Sequence, residues 1–237
     1  LGRVIRELER EEGDSGNTVV MTLDLELQRF ANQRLSDQES ASAVVMDIHN
    51  GEVLALSSHP TYDPNAFTNG ISHKLWNSLV NNPYAPLSNK AVNGTYAPGS
   101  TFKIVNVAAA LQERSVTLSS RFHCERGSFF YGGRRLRDHH AYGQLSVKEI
   151  ITKSSNIGSA KIAIRLGESR LHQYIRGFGF GERTRISLPG EVRGTVHPLK
   201  KWTKLSITRV PMGHEVAVTP IQMAMMLAAV ANQGKLM

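Results

Sequence analysis

Pro98-Gly99, followed by Ser100-Thr101-Phe102-Lys103 and the run Ile104-Val105-Asn106-Val107-Ala108-Ala109-Ala110-Leu111, restricts the fold more than any other stretch of this chain. Pro98 and Gly99 stop a helix arriving from upstream, so a new helix begins here with Ser100 in its first turn. That helix has almost no polar face and is expected inside the domain, with other elements packed around it. Lys103 goes inside with it. Ser100 and Lys103 lie three residues apart and share a helix face, which brings the amine within reach of the hydroxyl. Burial disfavours the ammonium form and lowers the lysine pKa, making Lys103 a general base near neutral pH. Unpaired backbone N–H groups at the helix start favour a developing oxyanion. A Ser-x-x-Lys match alone is cheap, since about one chance occurrence is expected in a chain of this size. Here it is the only one, and it falls at a Pro-Gly break that leads into an apolar helix.

A second constellation is Lys153-Ser154-Ser155-Asn156. Ser146-Val147-Lys148-Glu149 has capping-box spacing, which predicts a short helix from Ser146 through Ile150 and Ile151. Another helix, Ile157 to Leu166, should end at Gly167. Ser154 and Asn156 therefore fall at a tight junction between helices, where side chains can be aimed into a cleft. Serine and asparagine are also ordinary cap residues, a reading that needs no chemistry.

The remaining pattern describes an α+β chain. With 237 residues and 41% hydrophobic content it can bury one sizeable core, as one domain or one domain with a small appendage. Leu1 to Glu12 is a charged amphipathic segment and Gly13 to Asn17 a turn or linker, so residues 1–17 read as the end of a preceding pedestal and 18–237 as the main domain. Thr18 to Leu23 reads as a short strand. Asp24 can cap a helix with Leu27, Phe30, Ala31 and Leu35 at helical spacing. Ala43 to Ile48 and Glu52 to Ser57 flank His49-Asn50-Gly51 and form a hairpin, and the apolar Ala43-Val44-Val45-Met46 predicts a central strand covered on both faces. Ser58 to Pro98 is a long loop, apart from a helix around Leu75 to Leu79, and it feeds the Ser100 turn. Arg121 to Leu145 forms a small hairpin or insertion beside the cleft. Glu168 to Arg176 is a helix closed by Gly177, and a turn-rich stretch runs from there to Pro211. Thr219-Pro220-Ile221-Gln222 starts a helix that reaches about Asn232.

Composition also closes off some functions. The net charge is +8, yet the basic residues are spread out, with only short clusters such as Arg134-Arg135-Leu136-Arg137 and Lys200-Lys201-Trp202, and no zinc-finger or RNA-recognition signature accompanies them. Nucleic acid is not the expected partner; a solvated basic face is the expectation. Cys124 is the single cysteine, so no intrachain disulfide forms, and its neighbourhood with His123, His139 and His140 lacks zinc-site spacing. Met223 to Ala231 is too short to span a bilayer, which needs about 20 apolar residues.

In order along the chain, Tyr96-Ala97-Pro98-Gly99-Ser100-Thr101-Phe102-Lys103, Lys153-Ser154-Ser155-Asn156-Ile157-Gly158 and Val218-Thr219-Pro220-Ile221-Gln222-Met223-Ala224 resemble successive landmarks of the class B penicillin-binding proteins, the peptidoglycan D,D-transpeptidases. Val20 to Gln28, Asn50 to Ala55 and Asn89-Lys90-Ala91-Val92 extend the resemblance upstream. It implies a penicillin-binding-protein/β-lactamase-like α+β fold, an antiparallel sheet between helical lobes with the Ser100 helix at their interface. The family's Lys-Ser-Gly or Lys-Thr-Gly motif does not occur, and the resemblance places it beyond Met237. The expectation is a domain truncated before its C-terminal strands, with a short sheet and without the strand that binds the substrate carboxylate and completes the oxyanion hole.

By the same resemblance, Ser100 attacks the penultimate D-Ala carbonyl of a peptidoglycan stem peptide, Lys103 takes its proton, Ser154 relays a proton to the leaving amine, and Asn156 binds the acyl-chain amide and Lys103. β-Lactam antibiotics acylate the same serine. No cofactor or metal is implied. The parent would carry a membrane anchor upstream of Leu1, face the outside of the cytoplasmic membrane, and work beside a glycan polymerase and the proteins of division or elongation. Rival readings are a serine β-lactamase or β-lactam sensor, for which no deacylating glutamate is recognisable, and a noncatalytic cell-wall scaffold.

Overall fold

Asp24 accepts the Leu27 N–H and starts helix α1 (Leu25–Leu35). The computed structural model describes residues 16–68 and 70–237, so the Leu1 to Glu12 segment and most of the expected linker lie outside the described residues. Strands β1 (Ala41–Met46) and β2 (Val53–His59) form the antiparallel hairpin, with Val44 opposite Leu56 and a bulge at Val45/Met46. Gln28 binds α1 to this sheet as if it were a strand residue. Its Nε2 donates to Leu56 O at 3.1 Å, and its Oε1 accepts the Leu56 N–H at 2.8 Å.

Two expectations fail here. Thr18 to Leu23 is not a strand: Thr22 Oγ1 donates to Val53 O and the Asp24 N–H to Leu54 O, and no ladder develops beside β2. Nor is β1 covered on both faces. It is half-buried along its length, because the sheet is two strands wide and each strand is an edge.

After β2 come α2 (His73–Val80), capped by Ser72, and the short α3 (Lys90–Asn93), which lay hidden in the expected loop. A 3-10 turn, Gly99–Phe102, then runs into α4 (Lys103–Gln112). Four short strands follow: β3 (Arg121–His123), β4 (Ser128–Tyr131), β5 (Arg134–Arg137) and β6 (Gln144–Ser146). β4 and β5 pair as a hairpin, and β3 pairs with β6 around its base. Then come α5 (Val147–Thr152), α6 (Asn156–Leu166), α7 (Glu168–Gly177), β7 (Thr195–Val196), α8 (Ser206–Arg209), β8 (Val216–Ala217) and α9 (Pro220–Ala231). β7 pairs with β8, and the expected capping boxes at Ser146 and Thr219 are both formed.

The composition of α4 follows from where it lies. Phe102, Val105 and Ala109 pack with Leu166, Leu171, Ile175 and Phe180 in one core. Val107 and Ala110 pack with Val147, Ile150, Ile157 and Ile162 in a second. Between two cores, α4 keeps only the side of Ile104, Ala108 and Gln112 partly open to solvent. Each large apolar side chain so buried contributes about 1.5–3 kcal/mol, and that driving force carries Lys103 inward with its neighbours. Where α5 meets α6, a Cβ on Gly158 would stand 2.5 Å from Ile150 Cγ1, so only glycine allows the approach that sets the Ser154-Ser155-Asn156 junction. Among the described residues, no helix is long and apolar enough to cross a membrane.

Candidate active site

The Ser100 turn is held by a bond of its own and by one segment distant in sequence. Thr101 Oγ1 donates to Pro98 O at 2.6 Å and closes the turn from within. From outside, the backbone of Gly213 lies against Gly99, where a Cβ would fall 2.3 Å from Gly99 N and O; Gly213 is also left-handed at φ 77°. Ser100 itself is exposed, as a nucleophile must be.

Lys103 is the opposite, at 2% exposure. Its Nζ lies 3.1 Å from Ser100 Oγ, 2.7 Å from Ser154 O, 2.9 Å from Ser154 Oγ and 2.8 Å from Asn156 Oδ1. The four residues singled out from the sequence thus meet at one nitrogen. The chemistry of those partners fits a neutral amine. The Ser154 carbonyl and the Asn156 amide oxygen can only accept, so they take two N–H hydrogens, while one hydroxyl at a time, that of Ser100 or of Ser154, can donate to the single remaining lone pair. Burial lowers the Lys103 pKa to about 8, against the opposing pull of the Asp138 carboxylate.

The junction geometry follows from its caps. α5 ends at Thr152, Ser155 accepts the Gly158 N–H to start α6, and Ser154 between them is left-handed at φ 54°. For a residue with a Cβ that conformation costs about 1 kcal/mol. It aims both the carbonyl and the hydroxyl of Ser154 at Lys103. Asn156 is oriented by its other amide atom, Nδ2, which donates to Arg137 O at 3.0 Å and keeps a second N–H for a ligand.

Asp138 is the site residue that sequence reasoning missed. Its Oδ1 accepts the Asn156 and Ile157 N–H groups at 2.5 and 3.0 Å, and its Oδ2 accepts the Ser155 hydroxyl at 2.7 Å. A carboxylate on the first N–H groups of α6 satisfies donors the helix leaves unpaired. It locks the junction to the end of β5. The signal in the sequence was a lone acid after the basic strand Arg134-Arg135-Leu136-Arg137, and spacing alone does not connect it to Asn156. Among the described residues, no group of three or more His, Cys, Asp or Glu side chains is placed to hold a metal.

Comparison with known proteins places this geometry. Residues 41–237 match the penicillin binding protein transpeptidase domain family. Penicillin-binding protein PbpB of Mycolicibacterium smegmatis is 33% identical over 95% of the chain, and peptidoglycan D,D-transpeptidase MrdA of Escherichia coli is 34% identical over 98%. The crystal structure of penicillin binding protein 3 from Mycobacterium tuberculosis complexed with aztreonam superposes with a TM-score of 0.82 at 32% identity, covering 95% of this chain and 49% of that one. The chain spans 34% and 38% of the length of the two curated relatives, so it corresponds to about a third of each.

Proposed function

Because the chain belongs to the penicillin-binding-protein transpeptidase family, we propose that it carries the acyl-transfer centre of a serine D,D-transpeptidase that cross-links peptidoglycan stem peptides. The observation that carries the reading is a buried amine 3.1 Å from an exposed serine hydroxyl, with its pKa lowered to about 8. Ser100 Oγ attacks the carbonyl of the penultimate D-Ala, and its proton passes to Lys103 Nζ. The Ser100 N–H, at the head of its turn where the helix offers no acceptor, stabilises the oxyanion; such a donor is worth about 3 kcal/mol in the transition state. Ser154 Oγ, 2.9 Å from Nζ, returns the proton to the leaving amine, and the terminal D-Ala departs. An amine of a second stem peptide then takes the acyl group from Ser100. A β-lactam enters by the same route, its ring amide opening on Ser100. Residues 18–237 form the transpeptidase part of this reading. Its setting is the outer face of the cytoplasmic membrane, beside a glycan polymerase and the machinery of division or elongation.

A fluorescent penicillin, incubated with the full-length gene product and mapped by peptide mass spectrometry, is expected on the peptide that contains Ser100. Label on another serine overturns the reading. The rate of labelling carries a second expectation. Only the neutral form of Lys103 accepts the proton, so the acylation rate should rise about tenfold per pH unit up to about pH 8 and level off above it. A rate that falls with pH over that range would mean that the ammonium, not the amine, is the working form.

A further inference from the structure

Asn106 and Ser159 are fully buried, and neither takes part in proton transfer. They meet where α4 packs on α6. Asn106 Nδ2 donates to Ser159 O at 2.9 Å and to Ser159 Oγ at 3.1 Å. The Ser159 carbonyl can only accept, so the amide has to present its nitrogen there. That orientation leaves Asn106 Oδ1 buried with no hydrogen-bond donor among the described residues. A buried acceptor left unpaired costs free energy, and the surroundings are those of an apolar residue. Val105 and Ala109 to one side of Asn106 pack with Ala163 of α6, and Val107 and Ala110 to the other side pack with Ile162. A leucine would suit the position better.

The pair repeats, one turn deeper, a contact of the catalytic group. Lys103 and Asn106 are three residues apart on α4, and Asn156 and Ser159 are three apart on α6, so each pair shares a helix face. The bond of 2.8 Å from Lys103 Nζ to Asn156 Oδ1 is one rung between the helices, and the bond from Asn106 to Ser159 is the next. Apolar packing is non-directional and tolerates small slips of one helix on another, whereas a hydrogen bond fixes both distance and angle. Ser159 reaches further. Its Oγ donates to Pro211 O at 3.3 Å, and two residues on, the backbone of Gly213 rests against Gly99 beside Ser100. One buried amide thus stands where the helix of Lys103, the helix of Asn156 and the support of the Ser100 turn come together.

We propose that Asn106 is a positioning residue for acyl transfer: its bonds to Ser159 set the spacing of α4 and α6, and with it the reach of Lys103 Nζ to Asn156, at a cost in stability. The inference rests on the acyl-transfer reading and goes beyond it, because Asn106 touches none of the four groups that meet at Nζ. Its consequence is that rate and stability move apart. In Asn106→Leu the orphaned Oδ1 disappears, Ser159 O keeps its partner in the α6 ladder and Ser159 Oγ keeps Pro211 O, so no polar group is stranded. Only the rung is lost.

The test is penicillin acylation of the full-length protein by stopped flow over a range of antibiotic concentrations, which separates the limiting rate from the half-saturating concentration, with melting temperatures from calorimetry. In Asn106→Leu the limiting rate is expected to fall about 10-fold, as small misplacements of a reacting group do, while half-saturation stays within about twofold and the melting temperature holds or rises. Ser159→Ala removes one of the two acceptors, and its limiting rate should fall about threefold. Combined, the two substitutions should slow acylation by clearly less than the product of their separate effects, because they break one contact. An unchanged limiting rate in folded Asn106→Leu overturns the proposal. So does a melting temperature that drops together with the rate, the behaviour of an asparagine kept for packing alone, and so do strictly multiplicative effects. If Asn106→Leu does not fold, Ser159→Ala decides, since an unaltered limiting rate in that variant also overturns the proposal. Labelling of Ser100 in the unaltered protein reports the acyl-transfer reading separately.

Discussion

Lys103→Ala is expected to slow acylation of Ser100 by a fluorescent penicillin roughly 10³-fold, the range in which a positioned general base acts, while the melting temperature moves little. The second half of that expectation follows from two opposed effects. Removing the amine relieves the cost of burying an ionisable group, which is what lowers its pKa to about 8. It also strands Ser154 O and Asn156 Oδ1, acceptors at 2.7 and 2.8 Å from Nζ, at about 1–3 kcal/mol for a buried unpaired group. The sum is small because the signs differ. Lys103→Arg separates a base from a fixed positive charge: guanidinium keeps the charge but is not deprotonated in proteins, so acylation should stay as slow as in Lys103→Ala. Stopped-flow or gel-resolved labelling gives the rates, and calorimetry gives the stability. Substantial acylation in Lys103→Arg would assign the proton to another group.

The parts of this site that were legible from sequence are those that local rules control. A Pro-Gly break, an apolar run and a Ser-x-x-Lys spacing suffice to put Lys103 under cover beside Ser100, because a helix fixes which residues share a face. Likewise the cap at Ser146 and the stop at Gly167 bracket a junction that has to contain Ser154 and Asn156. What could not be read depends on contacts between distant segments. Gly213 supports Gly99 only because α8 and the turn after it fold back on the nucleophile. Thr18 to Leu23 had strand composition, and composition does not reveal that a neighbour supplies a tether rather than a ladder.

Asp138 is where that limit has the largest functional consequence. In Asp138→Ala, the Asn156 and Ile157 N–H groups and the Ser155 hydroxyl lose their acceptor together. A loss of about 2–4 kcal/mol in stability follows from hydrogen bonds to a charged group. Acylation should fall about 10- to 100-fold in protein that is still folded, since a shift of about 1 Å in a positioning group has effects of that size. Asn156 and Ser154 would move, and with them two of the partners of Lys103 Nζ. Asp138→Asn distinguishes geometry from charge. Its Oδ1 can still accept both N–H groups, and Ser155 Oγ can accept from the new amide, so the junction should hold and most of the rate return. The charge, however, is gone. Asp138 raises the Lys103 pKa, so its neutralisation lowers that pKa further, and the rising limb of the acylation rate should move to lower pH than about 8. A purely architectural acid would leave that limb in place. An unmoved limb in a folded Asp138→Asn protein would therefore refute electrostatic coupling between the two residues, while a rate as low as in Asp138→Ala would show that asparagine does not preserve the cap.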